Sequence, residues 1–251
     1  MTDQIEYTLV GDDMQAVVIE LDPGETVQAE AGAMMFMEQG IEMNTEMQGG
    51  VFSGIKRMIG GESFFVVTFI NNGGQTQHVA FAAPYPGKIL PVNLAETGPM
   101  ICQRDAYLCS AYGMEITMEF TRRLGAGFFG GEGFILQRLS GEGYAFIHAG
   151  GTVISKELAV GETLSVDTGC LVAFQKSVGY DIKMTGGIKT AFFGGEGLFL
   201  AHLTGPGTVY LQTLPFSRLA DRVISAAGPA SKGEVKRGGA GNILGSILDG
   251  D

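Results

Sequence analysis

A chain of 251 residues can bury a substantial core, and 40 glycines with 8 prolines and no tryptophan point to many tight turns between short apolar runs. The formal net charge of −11 repels phosphate backbones and weighs against nucleic acid as a partner. Three cysteines, Cys102, Cys109 and Cys170, show no pairing motif, which indicates reduced thiols in a cytosol-like compartment rather than a disulfide framework.

The first residues, Met1 to Glu6, are acidic and lack an apolar stretch, so no secretory signal is expected. No apolar run reaches the roughly 18–20 residues that span a bilayer. In chain order, the first turn phrase is Gly24-Glu25-Thr26-Val27. Ile41, Met43 and Met47 then alternate with Glu42, Asn44 and Glu46, the period of a half-buried strand. Met58-Ile59-Gly60-Gly61-Glu62 follows, then an apolar run, Phe64 to Phe69, then the turn Asn71-Asn72-Gly73-Gly74.

The same order recurs twice. The second copy has Ala95-Glu96-Thr97, alternation over Met114, Ile116, Met118 and Phe120, and Phe128-Phe129-Gly130-Gly131-Glu132. An apolar run from Phe134 to Leu139 and the turn Gly141-Glu142-Gly143 complete it. The third copy has Gly161-Glu162-Thr163-Leu164, alternation over Tyr180, Ile182 and Met184, and Phe192-Phe193-Gly194-Gly195-Glu196. Leu198 to Leu203 and Gly205-Pro206-Gly207 follow.

Fixed order at a period of about 65–70 residues marks an internal repeat. The expected fold is all-β. Three diverged antiparallel β repeats, 1–86, 87–151 and 152–215, surround a pseudo-threefold axis and share a core, since no linker separates them. A C-terminal helix is expected over 216–228, with Leu219, Val223 and Ile224 at helical spacing and Ser217 as N-cap. Residues 229–251 are rich in Gly, Lys and Ser and are expected to form a flexible tail.

Several motifs invite functional readings. Gly125-Ala126-Gly127-Phe128-Phe129-Gly130 matches a dinucleotide fingerprint. A strand is expected after it where a helix would be needed, so the motif is read as a turn. The repeated Gly60-Gly61-Glu62, Gly130-Gly131-Glu132 and Gly194-Gly195-Glu196 are expected to be structural parts of each unit, with an acidic metal cluster as the alternative. The stretch from Val51 to Ile59 is basic and apolar within an acidic chain. Its Phe52, Ile55, Lys56, Arg57 and Met58 form the candidate surface-contact loop. His78 and His148 follow the repeat glutamates at equal spacing. Aligning Val79-Ala80-Phe81 with Tyr144-Ala145-Phe146 breaks their equivalence, and zinc-like ligand spacing is missing. No nucleophile elbow occurs, so no catalytic residue, metal or cofactor is expected.

The phrase from Gly49 to Ser63, with Phe128 to Gly133 and Phe192 to Gly197, resembles the hallmark of the family named for altered inheritance of mitochondria. The resemblance runs from Ile5 to Leu219. It implies β units similar to those of the tryptophan RNA-binding attenuation protein, a short double-stranded β-helix variant. It also implies mitochondrial relatives tied to inner-membrane organisation, and it supplies no catalytic residues to transfer. This chain looks like a bacterial, cytoplasmic member. The expected role is a non-catalytic scaffold or interaction protein, homo-oligomeric with a trimer as one form, acting in the cytoplasm or at a membrane surface with a lipid or protein partner. A small-molecule or metal-binding module using clefts between repeats is the alternative.

Overall fold

The computed structural model describes residues 5–44, 66–122, 134–184 and 199–227. Three successive blocks of strand account for most of them. Block one holds β1 (Glu6–Val10), β2 (Ala16–Leu21), β3 (Thr26–Glu30), β4 (Met34–Met37), β5 (Ile41–Asn44), β6 (Val66–Asn71) and β7 (Gln77–Ala82). Block two holds β8 (Gly87–Asn93), the one-turn helix α1 (Leu94–Thr97), β9 (Met100–Gln103), β10 (Tyr107–Ala111), β11 (Glu115–Arg122), β12 (Phe134–Ser140) and β13 (Tyr144–Gly150). Block three holds β14 (Val153–Leu158), β15 (Thr163–Asp167), β16 (Leu171–Gln175), β17 (Gly179–Met184), β18 (Phe199–Thr204) and β19 (Gly207–Gln212). Short 3-10 turns, Arg104–Ala106 and Thr168–Cys170, precede β10 and β16. All the strands lie in one compact unit, Met1–Ser217; the helix α2 (Phe216–Ala227) continues from it into a second.

One antiparallel pairing scheme serves all three blocks once β1, which among the described residues pairs only β2 and has no counterpart in the later blocks, is set aside; strands are counted within each block from β2, β8 and β14. In block one β2 and β4 pair β7, while β3 and β5 pair β6. In block two β8 and β10 pair β13, while β9 and β11 pair β12. In block three β14 and β16 pair β19, while β15 and β17 pair β18. A β-bulge recurs at matching places, between Met34 and Phe36, Tyr107 and Cys109, and Leu171 and Ala173. The extra residue bends the strand and breaks its strict alternation. β2, which carries no bulge, keeps that alternation: it buries Val17, Ile19 and Leu21 and turns Val18 and Glu20 outward.

The turn phrases have a local cause. Glu25 accepts from the Asp22 backbone N–H at 2.8 Å, and Glu162 accepts from that of Ala159 at 2.9 Å. Each carboxylate closes the turn before a strand. In block two the matching chain forms α1, where Asn93 is the N-cap and donates its side-chain amide to Glu96.

Two junctions link the blocks. The third strand of each later block pairs with the second strand of the block before it: β10 with β3, and β16 with β9. Three apolar clusters follow in line, the first around Phe69, Phe81 and Phe146, the second around Met100 and Ile147, the third around Phe174 and Leu203. Closure around a threefold axis needs a third junction, between β4 and β15. Among the described residues β4 pairs only with β7 and β15 only with β18. The strand registers set the alignment of the blocks one residue away from the match of the apolar runs. Phe81 lies opposite Met34 as Ile147 lies opposite Tyr107, so Phe81 corresponds to Ile147 and not to Phe146. His148 then matches Ala82, and His78 matches Tyr144.

The chain is pinched where the junctions meet. A Cβ on Gly150 would run into the Leu214 carbonyl oxygen, a backbone atom that cannot swing aside. Gly150→Ala is expected to destabilise the protein by about 3 kcal/mol, in the range of overpacking at a close-packed site. Thermal unfolding checks this: a fall in Tm of about 6–12 °C is expected for a chain of this size.

Candidate functional site

The first junction encloses a cavity of about 290 Å³. Its rim is the β3–β4 turn from Glu30 to Ala33, the end of β7 running on to Pro84 and Tyr85, the start of β10, and His148 on β13. Ala33, Ala82, Ala83, Leu108 and Phe216 supply apolar wall. Glu30, Tyr85, Asp105 and His148 supply the titratable groups.

Local packing fixes these side chains. The Tyr85 ring stands edge-on to the His148 ring, with centroids 4.6 Å apart and planes at 88°, and it leans against Phe216 at 5.2 Å. Gly87 passes directly over His148: a Cβ there would lie 2.5 Å from Nε2 and would overlap the Ala149 carbonyl. Tyr107 is fully buried, and its hydroxyl bonds Ser110 at 3.0 Å and the Gln28 carbonyl at 3.3 Å. The floor of the cavity is therefore a hydrogen-bonded, immobile layer.

The electrostatics are unusual for so acidic a protein. Burial, reinforced by the neighbouring Asp105 and partly offset by Arg104, pushes the Glu30 carboxyl up to about 7. Arg104 Nε itself lies 3.3 Å from Asp105. Burial pushes the Tyr85 phenol up to about 12, helped by Asp105 and Glu30. Burial lowers His148 to about 4, against a hydrogen bond to the Tyr85 backbone, so its imidazole is neutral at pH 7. Among the described residues the Nδ1 atom of this buried ring has no hydrogen-bond partner. Glu30 is thus poised between its two protonation states near neutral pH.

The second junction shows what is different about the first. Gln103 stands where Glu30 stands, and it donates from Nε2 to the Thr168 carbonyl at 2.5 Å. Gln212 stands where His148 stands. It donates to the Gly169 carbonyl and accepts from the Gly150 N–H, each at 2.8 Å. Two amides, each both donor and acceptor, stitch that junction together. A carboxylate cannot donate unless it is protonated, and the His148 ring leaves its Nδ1 without a hydrogen-bond partner among the described residues.

The residues that the sequence singles out are placed elsewhere. Gly60, Gly61, Glu62, Gly130, Gly131, Glu132, Gly194, Gly195 and Glu196 lie outside the described residues, as do Phe52, Ile55, Lys56, Arg57 and Met58. His78 is half-exposed on β7 and bonds Glu38 at 3.0 Å, with Glu20 at 3.6 Å. Cys102 and Cys109 are buried and Cys170 is half-buried, and none of the three forms a disulfide. Among the described residues no group of three His, Cys, Asp or Glu side chains could hold a metal. Sequence reasoning missed Glu30, Tyr85 and Asp105. The signal available was the change from Gln103 to Glu30 at one turn position, visible only once the bulged register is known.

The fold and its cavity define an all-β protein with a binding-sized pocket between blocks. Comparison with known proteins supplies the family: residues 7–214 match the family model described as "Mitochondrial biogenesis AIM24", and the chain belongs to that family. It is 27% identical over 213 residues to an uncharacterized protein of Streptococcus pyogenes serotype M6, covering 81% of this chain and 83% of that one. It also resembles the crystal structure of a second Streptococcus pyogenes protein, with a TM-score of 0.74 and 24% identity, over 89% of this chain and all of that one. The second likeness bears on fold alone.

The pH dependence follows from the sign of each shift. Glu30 binds its proton more tightly folded than unfolded, so stability falls as pH rises from 4.5 to about 7 and the full penalty remains above that. Glu30→Gln is expected to stabilise the protein by about 2–3 kcal/mol at pH 8, with the gain vanishing below about pH 4.5. His148 acts on the acid side: its stability contribution is present above pH 6.5 and is lost as pH falls towards 4. Urea unfolding of the wild type and Glu30→Gln between pH 4 and 8 checks the first window.

Proposed function

We propose that the chain is a non-catalytic small-molecule binding module, and that the cavity at the first junction takes compact organic cations, such as primary amines with an apolar body. The observation that carries this reading is Glu30, a carboxyl half-buried beside Asp105 and held near 7. Burial and the like charge of Asp105 both disfavour its ionised form. A bound cation offsets both, so it draws Glu30 into the ionised state and releases a proton. The apolar wall fits a hydrocarbon body, and a cavity of this volume suits a ligand of modest size.

The same reading takes the blocks as diverged copies of one double-stranded β-helix unit of the tryptophan RNA-binding attenuation protein type. The shared pairing scheme and the bulge at matching positions support it. Cysteines outside any disulfide support a reducing, cytoplasmic setting, and the net charge of −11 supports a role without nucleic acid.

A thermal-shift series tests the reading, because a ligand that binds only the folded state raises Tm. At pH 8, aliphatic amines of three to eight carbons are expected to raise Tm by several degrees, and carboxylic acids of the same skeleton are not. Affinity should rise with pH up to about 7 and then level off. An equal response from Glu30→Gln, or no response to any amine, would refute the site.

A second reading keeps the scaffold role at a membrane surface, and α2 favours it. No helix among the described residues is long and apolar enough to cross a membrane. α2 is short and amphipathic, with Val223 and Ile224 exposed at 61% and 69% beside Arg222. Such a helix can lie in the interfacial plane. Full-length protein is expected to co-float with anionic vesicles at low salt, and Val223→Asp with Ile224→Asp is expected to abolish it. Flotation unchanged in the double variant would remove α2 from the contact.

A further inference from the structure

The two junctions inside the chain use one rule: the third strand of a block pairs antiparallel with the second strand of the block before it. Two strands of those same kinds are left over. β4 is the third strand of block one, and no block precedes it. β15 is the second strand of block three, and no block follows it. Among the described residues each is paired on one side only.

Burial shows what these edges lack. Leu108, Cys109 and Ser110 on β10 are buried by the first junction, and Val172, Ala173 and Phe174 on β16 by the second, all at 3% exposure or less. The matching residues of β4 are Met35, Phe36 and Met37, exposed at 63%, 41% and 40%. Across the junction, Gln28 on β3 and Ile101 on β9 are buried, whereas the matching Ser165 on β15 is exposed. Both edges therefore carry side chains in the open that are enclosed wherever the chain makes the same contact internally. Three consecutive large apolar residues on an open strand edge are a ready template for strand addition.

We propose that β4 of one copy pairs antiparallel with β15 of a second copy, reproducing between chains the junction made twice within one. The internal registers dictate the new one. Cys109 faces Ala29 and Ala173 faces Cys102, so Phe36 faces Val166, Met37 faces Ser165 and Glu38 faces Leu164. The contact is heterologous: each copy offers β4 to one neighbour and β15 to another. It closes into a ring if the rotation per copy divides a full turn, and otherwise grows end to end.

The test uses full-length chain with Cys170→Ser, which removes the accessible thiol. Met37→Cys and Ser165→Cys are made separately. Directly opposed strand residues bring their Cβ atoms within about 4.5–5.5 Å, close enough for mild oxidation to join them. The mixture of the two variants is expected to give a cross-linked dimer at least tenfold more abundant than either variant alone. Equal cross-linking of Met37→Cys with itself would show a symmetric β4 contact and overturn the proposal. So would a wild type that remains monomeric by light scattering at all concentrations, with no mixed cross-link. A second pair guards against misfolding of the cysteine variants. Met37→Lys and Ser165→Glu should each lower self-association at least tenfold, and mixing them should restore a complex, because opposite charges then face each other. Failure of the mixture to associate when both variants keep wild-type Tm would equally sink the register.

Discussion

An antiparallel strand at the edge of a sheet has a row of backbone N–H and C=O groups that water alone must satisfy. This constraint organises the whole protein. Each block is a small set of hairpins with too little area for a robust core of its own. Its second strand, β3 or β9, is therefore completed by the third strand of the following block, β10 or β16. Because the partner comes from another block, the junction is also where the apolar clusters meet. Phe146 of β13 belongs to the same cluster as Phe69 and Phe81 of block one. Backbone pairing and core continuity are thus one event.

The candidate site is a by-product of that arrangement. Where two blocks meet, turns from both converge, and something must fill the space between them. At the second junction Gln103 and Gln212 fill it with backbone-bonded amides. At the first, Glu30 and His148 occupy the same places and leave a cavity with a displaced carboxyl, a neutral imidazole and a tyrosine wedge. Side-chain chemistry on one scaffold thus separates a seam at the second junction from a pocket at the first.

Much of the fold was legible from period and punctuation. The apolar runs beginning at Phe64, Phe134 and Leu198 correspond to β6, β12 and β18, and the Gly-Glu-Thr phrases mark turns closed by Glu25 and Glu162. The helix near Ser217 is α2. The site was not legible, for two physical reasons. The Glu30 carboxyl is displaced from its ordinary value because the fold half-buries it and brings Asp105 beside it, and separation in sequence hides that. The alignment set by the strand registers is also one residue away from the one the apolar runs suggest, which pairs Phe81 with Phe146 and conceals that His148 and Gln212 share a position. The most prominent motif, Gly-Gly-Glu, lies outside the described residues.

The repeated bulge has a further consequence, for where this protein tolerates change. By breaking alternation it leaves β10 buried on both faces, and β16 almost so, from Tyr107 to Ala111 and from Leu171 to Phe174. A strand enclosed on both faces has no position at which polar variety is harmless. The turn just before it is short, and in blocks one and two it is half-open, so the restriction is relaxed there. That turn carries Glu30-Ala31-Gly32, Gln103-Arg104-Asp105 and Asp167-Thr168-Gly169 in the three blocks, which agree in length and in almost nothing else. Mutational latitude is thus concentrated beside the junctions, the places where a new side chain meets a ready-made space.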